Sequence, residues 1–313
     1  MQLTAICEQH SDDIYWEFNG RIWKQQMSSS GKHKSAMMSA EVMPGSSADV
    51  EKAIADEDAN VAIPAKKAKV EKDQPNSDTP EDVNAYMKRT YDVRRSYITV
   101  ELPTINEVKE SYPELFVDRQ IMLEFERITD IDLDHALQEY CVSHWRDITD
   151  MCHKIPSAKD LLKQAEGVKK ESPSLEQYWD MVASLCLVPY MMKENLCDMV
   201  IEIGEDEQVD PKGKIVPVLI SKGNVFKSDE FILVVEEEVV QEFEEFTIAF
   251  ASLFATYWIF NMEYPDTLVY TYNFIQKVMV GLKDGTALPT PCKEIQQKLI
   301  KMAKVRTNKD KQK

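Results

Sequence analysis

At one place in the sequence, histidine and cysteine fall close enough together to suggest a metal. His135, Cys141, His144, Cys152 and His153 lie within one short stretch, and Cys141-x-x-His144 has the spacing of a ligand pair. Structural zinc usually takes two well-spaced pairs joined by a turn. Here Cys152 and His153 are adjacent, and Asp130-Ile-Asp-Leu-Asp134 ahead of them reads as a helix start. The competing reading is a helix that packs its cysteines inward and shows its histidines to solvent. A second constellation is acidic. Asp198, Glu202 and Glu205 around one strand, with Glu236 at the end of another, could gather around Mg²⁺ as in metal-dependent nucleases. Alternation alone also accounts for them, as the wet face of one strand and the polar exit of the other. No G-x-x-x-x-G-K-[ST], G-x-G-x-x-G or G-x-S-x-G motif occurs. A Ser or Cys paired with a His would meet only in the fold. No cofactor is expected.

A third group is basic: Pro64-Ala-Lys-Lys-Ala-Lys-Val-Glu-Lys72. Lys66, Lys67 and Lys69, behind a proline in an otherwise polar stretch, suit the acidic groove of a nuclear import receptor. The alternative is a lysine patch on a solvated linker.

The elements that must position these residues are organised around Phe246 to Leu282. Phe246 to Met262 carries no charge and is apolar nearly all round, which implies burial on several sides or a bilayer. Seventeen residues is the short limit for crossing about 30 Å of hydrocarbon, and acidic residues flank both ends, so a core helix is the reading adopted. After Asn261–Asp266, the residues Leu268, Tyr272, Ile275, Met279 and Leu282 recur at spacings of four and three. That pattern predicts a second helix beginning at Pro265 and ending near Gly285, and together the two form a buried αα-hairpin. Phe250, Leu253, Phe254, Trp258, Ile275 and Met279 are its predicted core contacts.

Ahead of the hairpin, the period of the pattern changes to two over 198–240. Met199–Ile203, Ile215–Ile220 and Phe231–Val235 are predicted as three short strands separated by Gly- and Pro-containing turns. Further upstream lie helical patterns: a basic amphipathic helix after Thr79-Pro80-Glu81-Asp82, then Gln120–Ile128, Leu133–His153, Ser157–Glu166 and Leu175–Met192, the last capped by Ser174 and interrupted by Pro189. The predicted class is α+β: a mostly helical domain over 81–285, with a small three-stranded sheet and the C-terminal buried αα-hairpin. Residues 286–313 read as a basic helix and tail. At the other end, Asn19-Gly20 between apolar runs signals a β-hairpin within 1–27. The Ser-, Ala-, Lys- and Glu-rich stretch 28–80 reads as a disordered linker.

Charge narrows the function classes. Residues 96–282 hold 15 Lys/Arg against 35 Asp/Glu, while 283–313 hold 9 against 3, within a net charge of −17 for the chain. A body so acidic repels phosphate, so broad nucleic-acid binding by the folded part is not expected. Six scattered cysteines and the lack of a basic-then-apolar leader fit a reduced intracellular setting.

Several of these residues carry a family likeness. Ile105-x-x-Val108, Tyr112-Pro113-x-Leu115-Phe116 and Glu124-Phe125-x-Arg127-Ile128 resemble the start of a region shared by sterile alpha motif domain-containing protein 3-like proteins. Leu233-Val-Val-Glu236, Ala249-x-x-x-Leu253-Phe254, Tyr264-Pro265 and Phe274-Ile275-Gln276-Lys277-Val278 resemble its end. The likeness covers about 95–283. No sterile alpha motif is evident upstream, so that motif's self-association is not carried over. The resemblance implies no reaction, ligand or catalytic residue. The expectation is a non-enzymatic protein-interaction module with protein partners, an import receptor among them, and no membrane. It would sit in the nucleus, or otherwise the cytoplasm. The alternative is a divalent-metal phosphodiesterase or a remnant of a mobile-element enzyme.

Overall fold

The computed structural model describes residues 80–310, with side chains described from 83 to 308. The 1–27 hairpin, nearly all of the 28–80 linker and the lysines Lys66, Lys67 and Lys69 lie outside the described residues.

The described chain opens with α1 (Pro80–Arg89) and α2 (Tyr91–Ser96). Between them, Thr90 turns its hydroxyl back to the Tyr86 carbonyl (2.9 Å), a local bond that competes with the helix ladder. A π turn, Tyr97–Glu101, ends at Leu102 in the left-handed region (φ 51°), just before Pro103. Thr104 and Glu107 then form a capping box on α3 (Ile105–Ser111), each satisfying a backbone N–H that the helix cannot. A 3₁₀ turn, Pro113–Phe116, leads to α4 (Gln120–Thr129). Asp132 caps α5 (Leu133–Cys152), and α6 (Lys159–Glu171) and α7 (Glu176–Met192) follow. The residue at the N-cap of α7 is Leu175, which makes no side-chain bond, rather than Ser174. Pro173 starts a 3₁₀ turn through Leu175 and moves the helix start onward.

The sheet has four strands, not three: β1 (Val200–Ile203), β2 (Val218–Lys222), β3 (Phe231–Val235) and β4 (Glu238–Phe243), paired in that order. β1 runs parallel to β2, and the other pairs are antiparallel, with a bulge at Leu233/Val234. The added strand follows a two-residue turn at Glu236-Glu237, both left-handed (φ 52° and 65°). That geometry normally selects Asn-Gly. Here external bonds hold it. The Glu236 and Glu237 N–H groups donate to the Ile215 and Lys214 carbonyls (3.1 and 2.9 Å). Glu237 accepts from the Gly213 N–H (2.7 Å), and Glu236 from the Ile105 N–H at the start of α3 (2.8 Å).

Leu219, Phe231, Leu233 and Val235 face the helices. On the other side of the sheet, Val218, Ile220, Ile232 and Val234 form a second small core with Val209 and Val216 from the β1–β2 connection. That connection is why β2 and β3 are buried on both sides and read as continuous apolar runs.

The centre is α8 (Phe246–Ile259), where every side chain but Ile248 is buried. It packs on α4, α5 and α7 on one side and on the sheet on the other. Each large apolar side chain moved here from water stabilises by about 1.5–3 kcal/mol, so this helix outweighs any single cap. Among the described residues, no helix is long and apolar enough to cross a membrane.

The predicted second helix of the hairpin is not continuous. It divides into a 3₁₀ turn (Asp266–Leu268), α9 (Val269–Phe274) and a π turn (Ile275–Met279) closed by Val280 N–H to Ile275 O (2.9 Å). Val269 to Phe274 are branched, aromatic and Asn residues, all weak helix formers. The Glu194 carboxylate accepts from the Tyr270 and Thr271 N–H groups (3.0 and 2.7 Å), fixing where α9 begins. α9 packs mainly on α7 and α10 (Thr290–Asp310) rather than along α8. It meets α8 through Tyr272, whose ring lies 4.5 Å from that of Tyr257 and 6.4 Å from that of Phe254. Phe250, Leu253, Phe254, Trp258, Ile275 and Met279 are all buried.

Candidate functional site

The residues considered for metal chemistry are each engaged elsewhere. Cys141 and Cys152 share the inner face of α5, and burial pushes both thiols up to about 12. Eleven residues of helix set them about 16 Å apart, too far for one ion. His144 lies flat on Tyr140 (4.2 Å between centroids), with Nδ1 3.0 Å from the Tyr140 carbonyl. His135 and His153 are exposed.

In the sheet, Glu202 accepts from Asn224 Nδ2 (3.0 Å) and the Val225 N–H (2.9 Å), which shapes the β2–β3 loop. Glu202 pairs level with Ser221, and Ser221 with Phe231, whereas Glu236 lies beyond Val235 at the far end of β3. Strand spacing and rise put them roughly 10 Å apart across the sheet and more than 13 Å apart along it. Among the described residues, no three His, Cys, Asp or Glu side chains could hold a metal.

The arrangement that does come together is an open cleft of about 400 Å³ between α5 and α7. Cys141, Val142, Trp145 and Arg146 form one wall, and Pro173, Ser174, Glu176, Gln177, Asp180 and Met181 the other. Trp145 is half-buried in its lining. The Arg146 guanidinium lies 5.1 Å and the Lys169 ammonium 5.5 Å from its ring, distances at which a cation is drawn to an indole face. Lys169 reaches Trp145 from α6 and bridges Glu166 (2.6 Å) and Asp180 (3.0 Å). Burial works to lower the Lys169 pKa, but hydrogen bonds and charge from Glu166 and Asp180 outweigh it and hold it raised. Burial raises the Asp180 carboxyl against the pull of Lys169. Val142 and Arg146 are exposed, so a ligand can approach an apolar and charged rim beside a half-buried indole. Burial pushes the cleft's cysteine, Cys141, up to about 12, which keeps that thiol protonated and unreactive.

Sequence spacing did not single out this site. It joins residues 141–146 to 173–181, with Lys169 between, and only the packing of α5 on α7 brings them together. The adjacent Trp145-Arg146 on a helix was the one available signal.

Residues 65–117 match the family described as sterile alpha motif domain-containing protein 3, helical domain. From residue 80 onward that match takes in α1, α2 and α3, so its described part is indeed helical. The chain is similar to sterile alpha motif domain-containing protein 3. The human sterile alpha motif domain-containing protein 3 is 24% identical over 203 residues, covering 64% of this chain and 38% of that protein. The mouse protein is 23% identical over 211 residues, covering 64% and 39%. The chain therefore spans about two fifths of the length of the curated relatives it matches. No solved structure matches. The match to the sterile alpha motif domain-containing protein 3 helical domain begins at residue 65, so it takes in Lys66, Lys67 and Lys69 together with α1 to α3.

Proposed function

We propose that the domain is a non-enzymatic protein-interaction module whose contact site is the cleft between α5 and α7. The observation that carries this reading is the cleft itself: Trp145 and Met181 set between exposed Val142, Arg146 and Glu176. A half-buried indole rimmed by charge is a feature on which peptide side chains anchor. The side chains weighed for metal chemistry point the same way, since Glu202 shapes a loop, Glu236 holds the start of α3, and Cys141 and Cys152 pack the core. The likeness to the helical domain of sterile alpha motif domain-containing protein 3 supports an interaction role.

The test is affinity capture with the full chain and with the Val142→Asp/Arg146→Glu variant. Both sites are exposed, so stability should change by less than about 0.5 kcal/mol each. Specific partners should be lost from the variant. Identical captured sets would contradict the cleft as the site.

We propose separately, from the basic motif alone, that the protein is nuclear, with Lys66, Lys67 and Lys69 taken by an import receptor. Replacing the three lysines by alanine should move a tagged chain to the cytoplasm. An unchanged distribution would refute import through this motif.

A further inference from the structure

We propose that the α5–α7 cleft holds this chain's own lysine-rich segment, Pro64–Lys72, whenever no other partner occupies it. The proposal rests on the reading of the cleft as an interaction site and names its resident ligand.

The cleft already holds one lysine in the way required. The Lys169 ammonium lies 5.5 Å from the Trp145 ring and is gripped by Asp180 and Glu166. Beside it Glu176 is exposed and makes no ion pair among the described residues. A second ammonium entering from solvent therefore meets an unneutralised carboxylate, Glu176, in the cleft lining beside the indole. The opposite wall carries Arg146, which would repel a purely basic peptide. Pro64-Ala-Lys-Lys-Ala-Lys-Val-Glu-Lys72 is not purely basic. Its Glu71 complements Arg146, its Val70 suits the apolar side chains Val142 and Met181, one on each wall, and Lys66, Lys67 and Lys69 suit Glu176. Over longer range the complementarity is stronger still, since 96–282 hold 15 basic against 35 acidic residues.

The tether permits the contact. Lys69 and Lys66 precede Pro80 by 11 and 14 residues, which reach about 36–48 Å when extended. A domain of this length has a radius of gyration of about 17 Å and a diameter near 45 Å, so its faces are within reach. A short connector holds the segment at roughly millimolar effective concentration, so even a weak contact is populated. The family match begins at residue 65 and extends through α1, α2 and α3, so the segment from Ala65 onward and those helices fall within one matched region.

Docked in this way, the segment cannot at the same time present its lysines to an acidic receptor groove, so occupancy of the cleft by a partner would release them. The test is zero-length carbodiimide coupling of the full chain, using an equal mixture of unlabelled and ¹⁵N-labelled protein, with linked peptides read by mass spectrometry. The expected product is an amide joining Lys66, Lys67 or Lys69 to Glu176, with water lost and both peptides from one isotopic species. Its yield should fall at least about fivefold at high salt, where screening acts within a few Å. The proposal is overturned if those lysines link only to carboxylates outside the cleft, or if the Glu176 links join the two isotopic species, which would make the ligand a second copy. In either case partner capture still sensitive to Val142→Asp/Arg146→Glu would leave the interaction reading standing, whereas insensitive capture would remove both.

Discussion

Arg94 is fully buried, and its guanidinium donates to both oxygens of an equally buried carboxylate, Glu124 (Nε–Oε1 2.9 Å, Nη2–Oε2 2.6 Å). Arg127 adds a second cation at 3.0 Å, and the Met87 carbonyl and Thr90 hydroxyl each accept a further Arg94 N–H, from Nη2 and Nη1. Such a cluster need not stabilise relative to an apolar core, but breaking it leaves a buried charge uncompensated. Glu124→Gln is expected to cost about 3–5 kcal/mol, read as a lower urea midpoint at unchanged slope. The double change Arg94→Met/Glu124→Leu should recover most of that loss.

A second network closes the π turn before Gly281. Asp284 accepts from Lys277 (2.9 Å), Gln276 (2.9 Å) and both the N–H and hydroxyl of Thr286 (2.9 and 2.7 Å). Burial would raise its carboxyl, but these bonds prevail and hold it below the ordinary 3.8. A depressed folded pKa contributes stability that is present above the unfolded value and lost as pH falls through the folded one. The deficit of Asp284→Asn against wild type should therefore be full near neutral pH and shrink below about pH 4. A deficit that grows with acid would contradict the network. Neither network was visible in spacing, because Arg94 and Glu124 are thirty residues apart and chain order does not reveal which buried charges meet.

At the scale of elements, periodicity worked where burial is one-sided or complete. α4, α5, β3 and the apolar α8 stand close to where the pattern placed them. It failed where local chemistry is overridden by distant partners. The fourth strand was hidden because Glu236-Glu237 looks like an exit from a sheet, and its left-handed turn is held by Ile215, Lys214, Gly213 and Ile105. The predicted second hairpin helix has a valid stripe, yet Glu194 fixes its start and its weak helix formers give way to a π turn. The last helix shows the reverse case. A basic, exposed-looking α10 buries Cys292 and Leu299 and places Arg306 2.9 Å from Asp147, itself almost wholly buried. Ending the chain at 289 removes both the apolar contacts and the cation, so a loss of at least about 3 kcal/mol is expected by thermal or urea unfolding. Arg306→Gln alone should lose less, because Arg306 is itself part-exposed. A truncated chain as stable as the full one would show that α10 is an appendage.

Viewed whole, the molecule surrounds one uncharged helix with other helices on one side and a two-faced sheet on the other, and carries its acidic excess on the outside. One of its open features is a cleft lined by an indole already flanked by two cations. The charge balance that opposes phosphate is the one that, on the proposal above, favours lysine-rich peptides. Hydrogen–deuterium exchange on the full chain, with and without a partner that wild type captures and Val142→Asp/Arg146→Glu does not, addresses the central claim directly. Slowed exchange at 141–146 and 173–181 on adding that partner is the predicted result. Protection confined to the sheet or to α10, with those two segments unchanged, would contradict it.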